Sequence, residues 1–360
     1  MTIVNTILPF FGILIVLIVA HEMGHYITAK LFGVKVLEAG LGYPPRIWGF
    51  TWRGTIYSIN WLPLGGFVRL LGEEDPSDPN SLAAKPRWQR LIVLAAGSGM
   101  NFLLPIFLFA LAFMIPRQVA AGPAVIDKVE PASPAAEAGL QPGDIILQLN
   151  GEGVANTQEV SRLIRLNLGE IITFTIEREV SGGGSEVITL PIEARWAPPS
   201  GQGPTGIRVG NLNPQSSKTE SFPPWKAIPK GWTATLDSLV LARNQVISMF
   251  KGGSGPDVTG PVGIAQATGE VVKEAGWQVL LDFAALLSIN LAIINILPLP
   301  MLDGGRIAFV LLEIARRGKR IAPEKEALVH FIGLALIITL AVVITYFDIL
   351  RILRGDNLFR

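Results

Sequence analysis

Three histidines occur in 360 residues, His21, His25 and His330, and two of them share the pentapeptide "HEMGH". On a helix, residues four apart are displaced by about 6 Å along the axis and about 40° around it, so the imidazoles of His21 and His25 converge on one side. Such a pair can hold one Zn²⁺. Glu22 is not placed as a ligand but flanks the pair, where it can take a proton from a metal-activated water and return it to a leaving amine. The competing reading is two histidines satisfied by structural hydrogen bonds, and the motif alone does not separate peptide hydrolysis from other zinc chemistry.

A hydrolytic zinc site needs a third protein ligand and an open fourth position. The chain has no cysteine, which excludes disulfides, thiolate nucleophiles and sulfur ligands and leaves His, Asp or Glu. An anionic ligand suits a low-dielectric setting because it offsets the charge of the metal. The candidate is Asp303 in "NLAIINILPLPMLDGGRI". Pro298 and Pro300 stop regular helix there, and Gly304 and Gly305 allow close backbone approach. Lipid penalises the freed carbonyls, so the break is expected to line a water-accessible cavity. The plainer reading of Asp303 is an interfacial acid ending a span. His330 has no partner in the motif and reads as structural.

The elements that must carry these residues are apolar. Hydrophobic residues make up 49% of the chain and charged ones 16%, and the mean hydropathy is +0.44, so a multi-span membrane protein is expected. A net charge of +1 offers no basic field for nucleic acid. Four runs are long enough to cross a bilayer, 3–20 continued by the motif, 91–116, 283–302 and 327–347. The first lacks a basic start and a small-residue cleavage site and reads as a retained span. Eight Lys and Arg residues lie from Lys30 to Arg90 and six from Arg306 to Lys325. The positive-inside rule puts both connections in the cytoplasm and both termini outside, although Arg351, Arg354 and Arg360 in the tail pull mildly the other way.

Between the spans the composition changes. From about Gly122 to Trp196, alternating runs such as "AVIDKV", "DIILQLNG" and "IITFTIERE", with an "SGGG" turn, read as a soluble domain on the outer side. Its phrase "VEPASPAAEAGLQPGDIILQLNGEGV" resembles the PDZ domains of bacterial membrane proteases, with a short helix from Ser133 to Ala138 and a turn from Gly139 to Asp144. A GLGF-like carboxylate-binding loop is not evident, so the domain is either a peptide receptor or a rigid size filter. Pro198–Pro224 reads as a linker. Apolar residues from Ile228 to Phe250 then recur at helical spacing, which suggests an amphipathic helix on the outer membrane surface or one packed on the PDZ domain. On the cytoplasmic side, "VKVLEAGLG", "RIWGFTW", "GTIYSINWLP" and "GGFVRLLG" read as short strands of a small membrane-associated sheet. Its edge could accept an extended substrate as a further strand.

Taken in this order, "HEMGH", "PLGGFVRLLGE", the PDZ-like phrase and "NILPLPMLDGG" resemble the site-2 protease family of intramembrane metalloproteases, in its bacterial RseP-like group with one PDZ domain. The resemblance covers most of the chain. It implies one Zn²⁺ per chain held by His21, His25 and Asp303, with Glu22 as general base. It also implies that Asn295, in the pattern N-x-x-P-x-P-x-x-D-G, contacts the substrate backbone, with Pro298, Pro300, Gly65 and Gly66 lining its path. The implied substrate is a single-span membrane protein already trimmed by another protease, such as an anti-sigma factor or a remnant signal peptide, cut in or near its transmembrane helix. The implied location is the inner (plasma) membrane of a bacterial cell, with the active site near the cytoplasmic face and the PDZ domain outside. One departure stands in the second span, where relatives often read GPxxNF and this chain reads Gly97, Ser98, Gly99, Met100, Asn101 and Phe102.

The expected fold is therefore a polytopic α-helical membrane protein with four transmembrane helices, a small membrane-associated β-sheet and one extracytoplasmic PDZ (α+β) domain. The expected boundaries are a first span at 1–30, a β region at 31–87, a second span at 88–117 and the PDZ domain at 118–197. A linker with an amphipathic helix follows at 198–274, then a third span at 275–305, a cytoplasmic loop at 306–326, a fourth span at 327–349 and a tail at 350–360. A non-proteolytic PDZ-bearing scaffold and an ion-coupled transporter are the alternatives; the first leaves HExxH unexplained, and the second lacks an inverted repeat.

Overall fold

The computed structural model describes residues 3–73, 75–180, 183–212, 217–253 and 259–354. The chain opens with α1 (Ile3–Leu31), β1 (Val36–Trp52), β2 (Thr55–Leu70) and α2 (Arg87–Met114). A run of short elements follows: β3 (Arg117–Ala120), β4 (Ala124–Val129), α3 (Pro134–Glu137), β5 (Ile145–Leu149), β6 (Glu152–Gly153), α4 (Thr157–Leu166), β7 (Ile171–Val180), β8 (Gly184–Glu193), β9 (Ile207–Asn211) and β10 (Ser217–Glu220). It closes with α5 (Pro224–Phe250), α6 (Pro261–Ala275), a 3₁₀ turn at Trp277–Val279, α7 (Leu280–Ile296), α8 (Asp303–Ala315) and α9 (Pro323–Arg354). Two compact units result, one of residues 1–112, 228–235 and 258–360 and the other of 113–227 and 236–257.

In the first unit, four helices among the described residues are long and apolar enough to cross a membrane: Thr6–Leu31, Arg87–Met114, Trp277–Ile296 and Pro323–Arg354. The third ends where its sequence stops supplying backbone donors. Leu297 is extended, and Pro298 and Pro300 carry no N–H. Met301, at φ +72°, donates its N–H to His330 Nδ1 of α9 at 2.9 Å. Asp303 then starts a new helix instead of ending the old one, and Leu302 precedes it in extended conformation. A carboxylate in a helix's first turn faces the positive end of its dipole.

The expected loop over 306–326 is thus corrected, since α8 occupies its first half. The flanking charges hide an apolar run, Ile307 to Ala315, broken only by Glu313. Val310 is buried among Ala29, Val34, Val36, Leu70 and Val93, with Ile307 packed at the margin. Glu313 is 6% exposed and takes hydrogen bonds from Arg90 at 2.6 Å and Arg87 at 3.2 Å. Burial alone would raise its pKa, but the bonds and charges of Arg90, Arg87 and Arg320 outweigh it and hold the carboxyl below its ordinary value.

The four expected short strands are joined into two long ones of 17 and 16 residues. They pair as an antiparallel hairpin from Trp52 opposite Thr55 to Arg46 opposite Asn60, and the ladder then folds over, so that Ala39 pairs with both Tyr57 and Val68. Residues 66–70 consequently form one edge and 46–52 the other. Buried Glu38 takes Arg46 and Arg69 on its two oxygens at 2.7 and 3.2 Å, pinning both edges to the middle.

The second unit is built on a six-stranded sheet in the order β8-β7-β5-β4-β9, with β6 paired to β5. Its core includes Ile126, Ile146, Ile172, Phe174 and Ile176, all fully buried. Ser133 and Asn156 cap α3 and α4 through their side-chain oxygens. The expected short helix, turn and Asn150-Gly151 hairpin are all present, Asn150 and Gly151 having φ of +51° and +78°.

The linker reading of 198–224 is corrected, because β9 pairs with β4 and β10 with β3. A five-residue strand among glycines and prolines becomes visible only once its partner is present. Helix α5 matches the helical spacing, and its residues 236–250 carry the polar contacts of a helix packed on this unit. Asn244 Nδ2 donates to the Arg165 and Leu166 carbonyls at 2.8 and 3.1 Å, and Arg162 meets Asp237 at 2.5 Å. Helix α6 is a second, unforeseen helix in the expected 198–274 segment. Ser181 and Gly182 of the "SGGG" turn, residues 213–216 of the expected linker and residues 355–360 of the tail lie outside the described residues.

Candidate metal centre

Helix α1 carries both histidines on the face turned to α8, and the break after α7 brings Asp303 to them. His21 Nε2 and His25 Nε2 each stand 3.3 Å from Asp303 Oδ2, and the two nitrogens are 3.3 Å apart. An edge of a tetrahedron whose corners lie about 2.0–2.1 Å from its centre is about 3.3 Å long, so the triangle has the size zinc requires of three ligands. Asp303 Oδ2 is buried and makes no hydrogen bond, a cost that a cation at this point removes. Among the described residues these three make up the only group of metal-ligating side chains with ligand atoms all within 4.8 Å of one another. The donor set, two imidazoles and a carboxylate, fits zinc.

The histidines are held from behind. His25 Nδ1 is 2.8 Å from the Val93 carbonyl of α2, to which it can donate. Gly97, one turn further on, faces the rings: a Cβ there would collide with His25 Nε2 and meet His21 Cε1. Gly24 likewise lets α1 approach the Ala96 carbonyl closer than any side chain allows.

Glu22 is part of the wall of a cavity of about 380 Å³ between α1 and the β1–β2 sheet, lined also by Ile18, Met23, Tyr26, Gly66 and Phe67. The edge strand passes close to the glutamate, since a Cβ on Gly66 would meet Ile18 Cγ2 at 2.7 Å and Glu22 Cγ at 3.4 Å. Gly65, at φ +145°, lies against the Tyr43 ring. Tyr57, also on the wall, bonds the Tyr26 hydroxyl at 2.6 Å. Burial and that bond push its pKa up to about 12, so it faces the cavity as a neutral phenol.

The other sequence-predicted residues divide. Asn295, on the last turn of α7, places Nδ2 3.4 Å from His21 Nδ1, so it belongs to the centre. Pro298 is exposed. Pro300 packs on α9 so tightly that a side chain at Gly333 would strike it, which makes it a fixture of the break. His330 is structural, as expected, though its anchor is the Met301 N–H two residues before Asp303. Asn101 was missed: its Nδ2 is also 3.4 Å from His21 Nδ1. The sequence offered it as the asparagine of the stretch that stands where relatives often read GPxxNF, with no spacing relation to His21.

A histidine pair and a carboxylate that could hold a metal ion, with a flanking glutamate on apolar helices, are the parts a membrane-embedded metallohydrolase needs. The chain belongs to peptidase family M50, the site-2 proteases, whose model matches residues 9–340. It is 30% identical to the zinc metalloprotease RasP of Oceanobacillus iheyensis, over 98% of this chain and 100% of that one. It is 31% identical to RasP of Geobacillus kaustophilus over 96% and 98%. A Rhizobium meliloti (strain 1021) relative, provisionally designated a zinc metalloprotease, is 34% identical over 96% of each chain. The protein is thus a multi-pass membrane zinc metalloprotease, and the scaffold and transporter readings fall away.

Proposed function

We propose that the protein is an intramembrane endopeptidase in which His21, His25 and Asp303 hold one zinc and Glu22 moves the proton. The observation that carries this reading is the 3.3 Å triangle of ligand atoms beside a cavity walled by Glu22 and the edge strand at Gly66. Zinc, when bound, polarises the scissile carbonyl and activates water near neutral pH. Glu22 takes the proton of that water and delivers it to the leaving amine, as a general base and then a general acid. Asn295, half-buried at the end of α7, offers an amide N–H to the carbonyl oxygen as it gains charge.

The substrate is a single-span membrane protein. Its helical backbone is hydrogen-bonded and closed to attack, so the scissile stretch must become extended first. Residues 66–70, at an edge of the sheet, can pair with such a stretch, and Gly66 keeps the strand close to Glu22. The second unit is a PDZ domain on the outer side of a bacterial plasma membrane, excluding substrates with intact bulky ectodomains, so that an earlier cleavage by another protease precedes this one. The basic connections support a zinc centre near the cytoplasmic face, with the termini outside.

The test is a single-span reporter incubated with the natural chain and with Glu22→Gln, with bound zinc measured in both. Glu22→Gln is expected to keep its zinc and lose cleavage by about 10²–10⁴-fold. Cleavage at the natural rate by a zinc-loaded Glu22→Gln chain would remove Glu22 from the mechanism.

A further inference from the structure

His21 and His25 present the same nitrogen, Nε2, to Asp303. A metal held there leaves each ring with its proton on Nδ1, and each Nδ1–H then needs an acceptor. His25 has the Val93 carbonyl. His21 has two amides at the same 3.4 Å, Asn101 of α2 and Asn295 of α7, each with its nitrogen nearest. The Gly97 backbone also bonds this ring, but two donors cannot serve a third donor, and a turn of one amide gives Nδ1–H a side-chain acceptor.

Burial decides between them. Asn101 is 1% exposed, and its Oδ1 is buried without a hydrogen-bond partner, an arrangement that costs about 1–3 kcal/mol if left. Asn295 is only half-buried and has no such orphaned oxygen. A half-turn of the Asn101 amide exchanges its oxygen and nitrogen without moving the carbon frame. The orphaned oxygen then meets the Nδ1–H of His21 and gains the partner it lacks. The backbone beneath is fixed, because the fully buried Ser288 of α7 donates to the Asn101 carbonyl at 2.8 Å.

We propose that Asn101 is the positioning residue of the metal centre: its side-chain oxygen accepts the Nδ1–H of His21, setting the tautomer and angle of that ligand and leaving the Asn295 amide to the substrate. This rests on the reading of His21 as a ligand. It also gives a role to the second-span stretch in which proline is replaced by Ser98, since α2 contributes a hydrogen-bonding side chain there as well as small residues for close packing.

The test uses the full chain in lipid nanodiscs, with zinc affinity read by competition with a chromogenic chelator. Asn101→Leu is expected to weaken zinc by about 10–100-fold, while Asn101→Asp, which keeps an acceptor oxygen, retains the natural affinity or exceeds it. Asn295→Leu is expected to leave zinc affinity unchanged. A buried residue serving only packing would give the opposite order, with the charged Asn101→Asp the worst, and that order overturns the proposal. With three histidines in the chain, ¹⁵N-histidine labelling adds a readout that needs no Asn101 variant: in zinc-loaded Asn295→Leu the His21 Nδ1–H should still exchange slowly with solvent. Its loss there makes Asn295 the acceptor and refutes the assignment. His21→Gln serves as the control, and stoichiometric zinc in that variant would overturn the ligand reading itself.

Discussion

Gly97 shows how narrowly the metal centre is built. In an ordinary helix, alanine in place of glycine stabilises by roughly 0.5–1 kcal/mol. At position 97 the added methyl would occupy the space of the His25 and His21 rings. Gly97→Ala is therefore expected to lower zinc affinity at least about tenfold despite its better helix propensity. Gly99→Ala, two residues on, meets nothing within 4 Å and should bind zinc as the natural chain does; equal affinity in both variants would show that Gly97 does not set the ring positions. The histidine pair and its glutamate were legible in the sequence because a helix turns a spacing of four into a contact. Asp303 was legible only through the prolines and glycines around it, and the place of Asn101 beside His21 not at all, because that relation exists only when α2 packs on α1.

Among the elements, the break between α7 and α8 does most to assemble the site. Its position could be read from Pro298 and Pro300, but its continuation as a helix could not, because the flanking arginines resemble those of a loop. One of those apparent loop residues, Glu313, staples α8 to α2 through Arg90 and Arg87. Glu313→Gln leaves the mostly buried Arg90 without its counter-charge and is expected to cost on the order of 3 kcal/mol, read as a lowered unfolding temperature in nanodiscs. The linkage has a definite sign. A carboxyl held low in the folded state contributes its stability above the unfolded pKa of about 4.3 and loses it as pH falls through the folded value. The natural chain's advantage over Glu313→Gln should therefore begin to shrink as pH falls below about 4.3 and vanish once pH passes the lower folded value; an advantage that does not shrink with acidification would contradict the ion-pair account. The hairpin strands were legible from alternation and aromatic content. Strand β9 was not, since its five residues depend on β4 for their ladder.

The molecule as a whole follows from four apolar helices interrupted by a β-rich unit, and that much was already visible in hydropathy and composition. Absence of cysteine makes the topology directly testable. Ser77→Cys lies between the first and second spans and Ser185→Cys between the second and third, both at exposed positions. One crossing separates them, so a membrane-impermeant maleimide applied to spheroplasts should label Ser185→Cys and spare Ser77→Cys until the membrane is opened; labelling of both from outside would contradict the second span. The central claim is that a motif on the first span and an aspartate 278 positions beyond His25 share one zinc. The direct measurement is zinc per chain in purified Asp303→Ala, alongside the natural chain and Glu22→Gln. The account predicts about one zinc in the latter two and less than about a tenth in Asp303→Ala. Stoichiometric zinc in Asp303→Ala would contradict it.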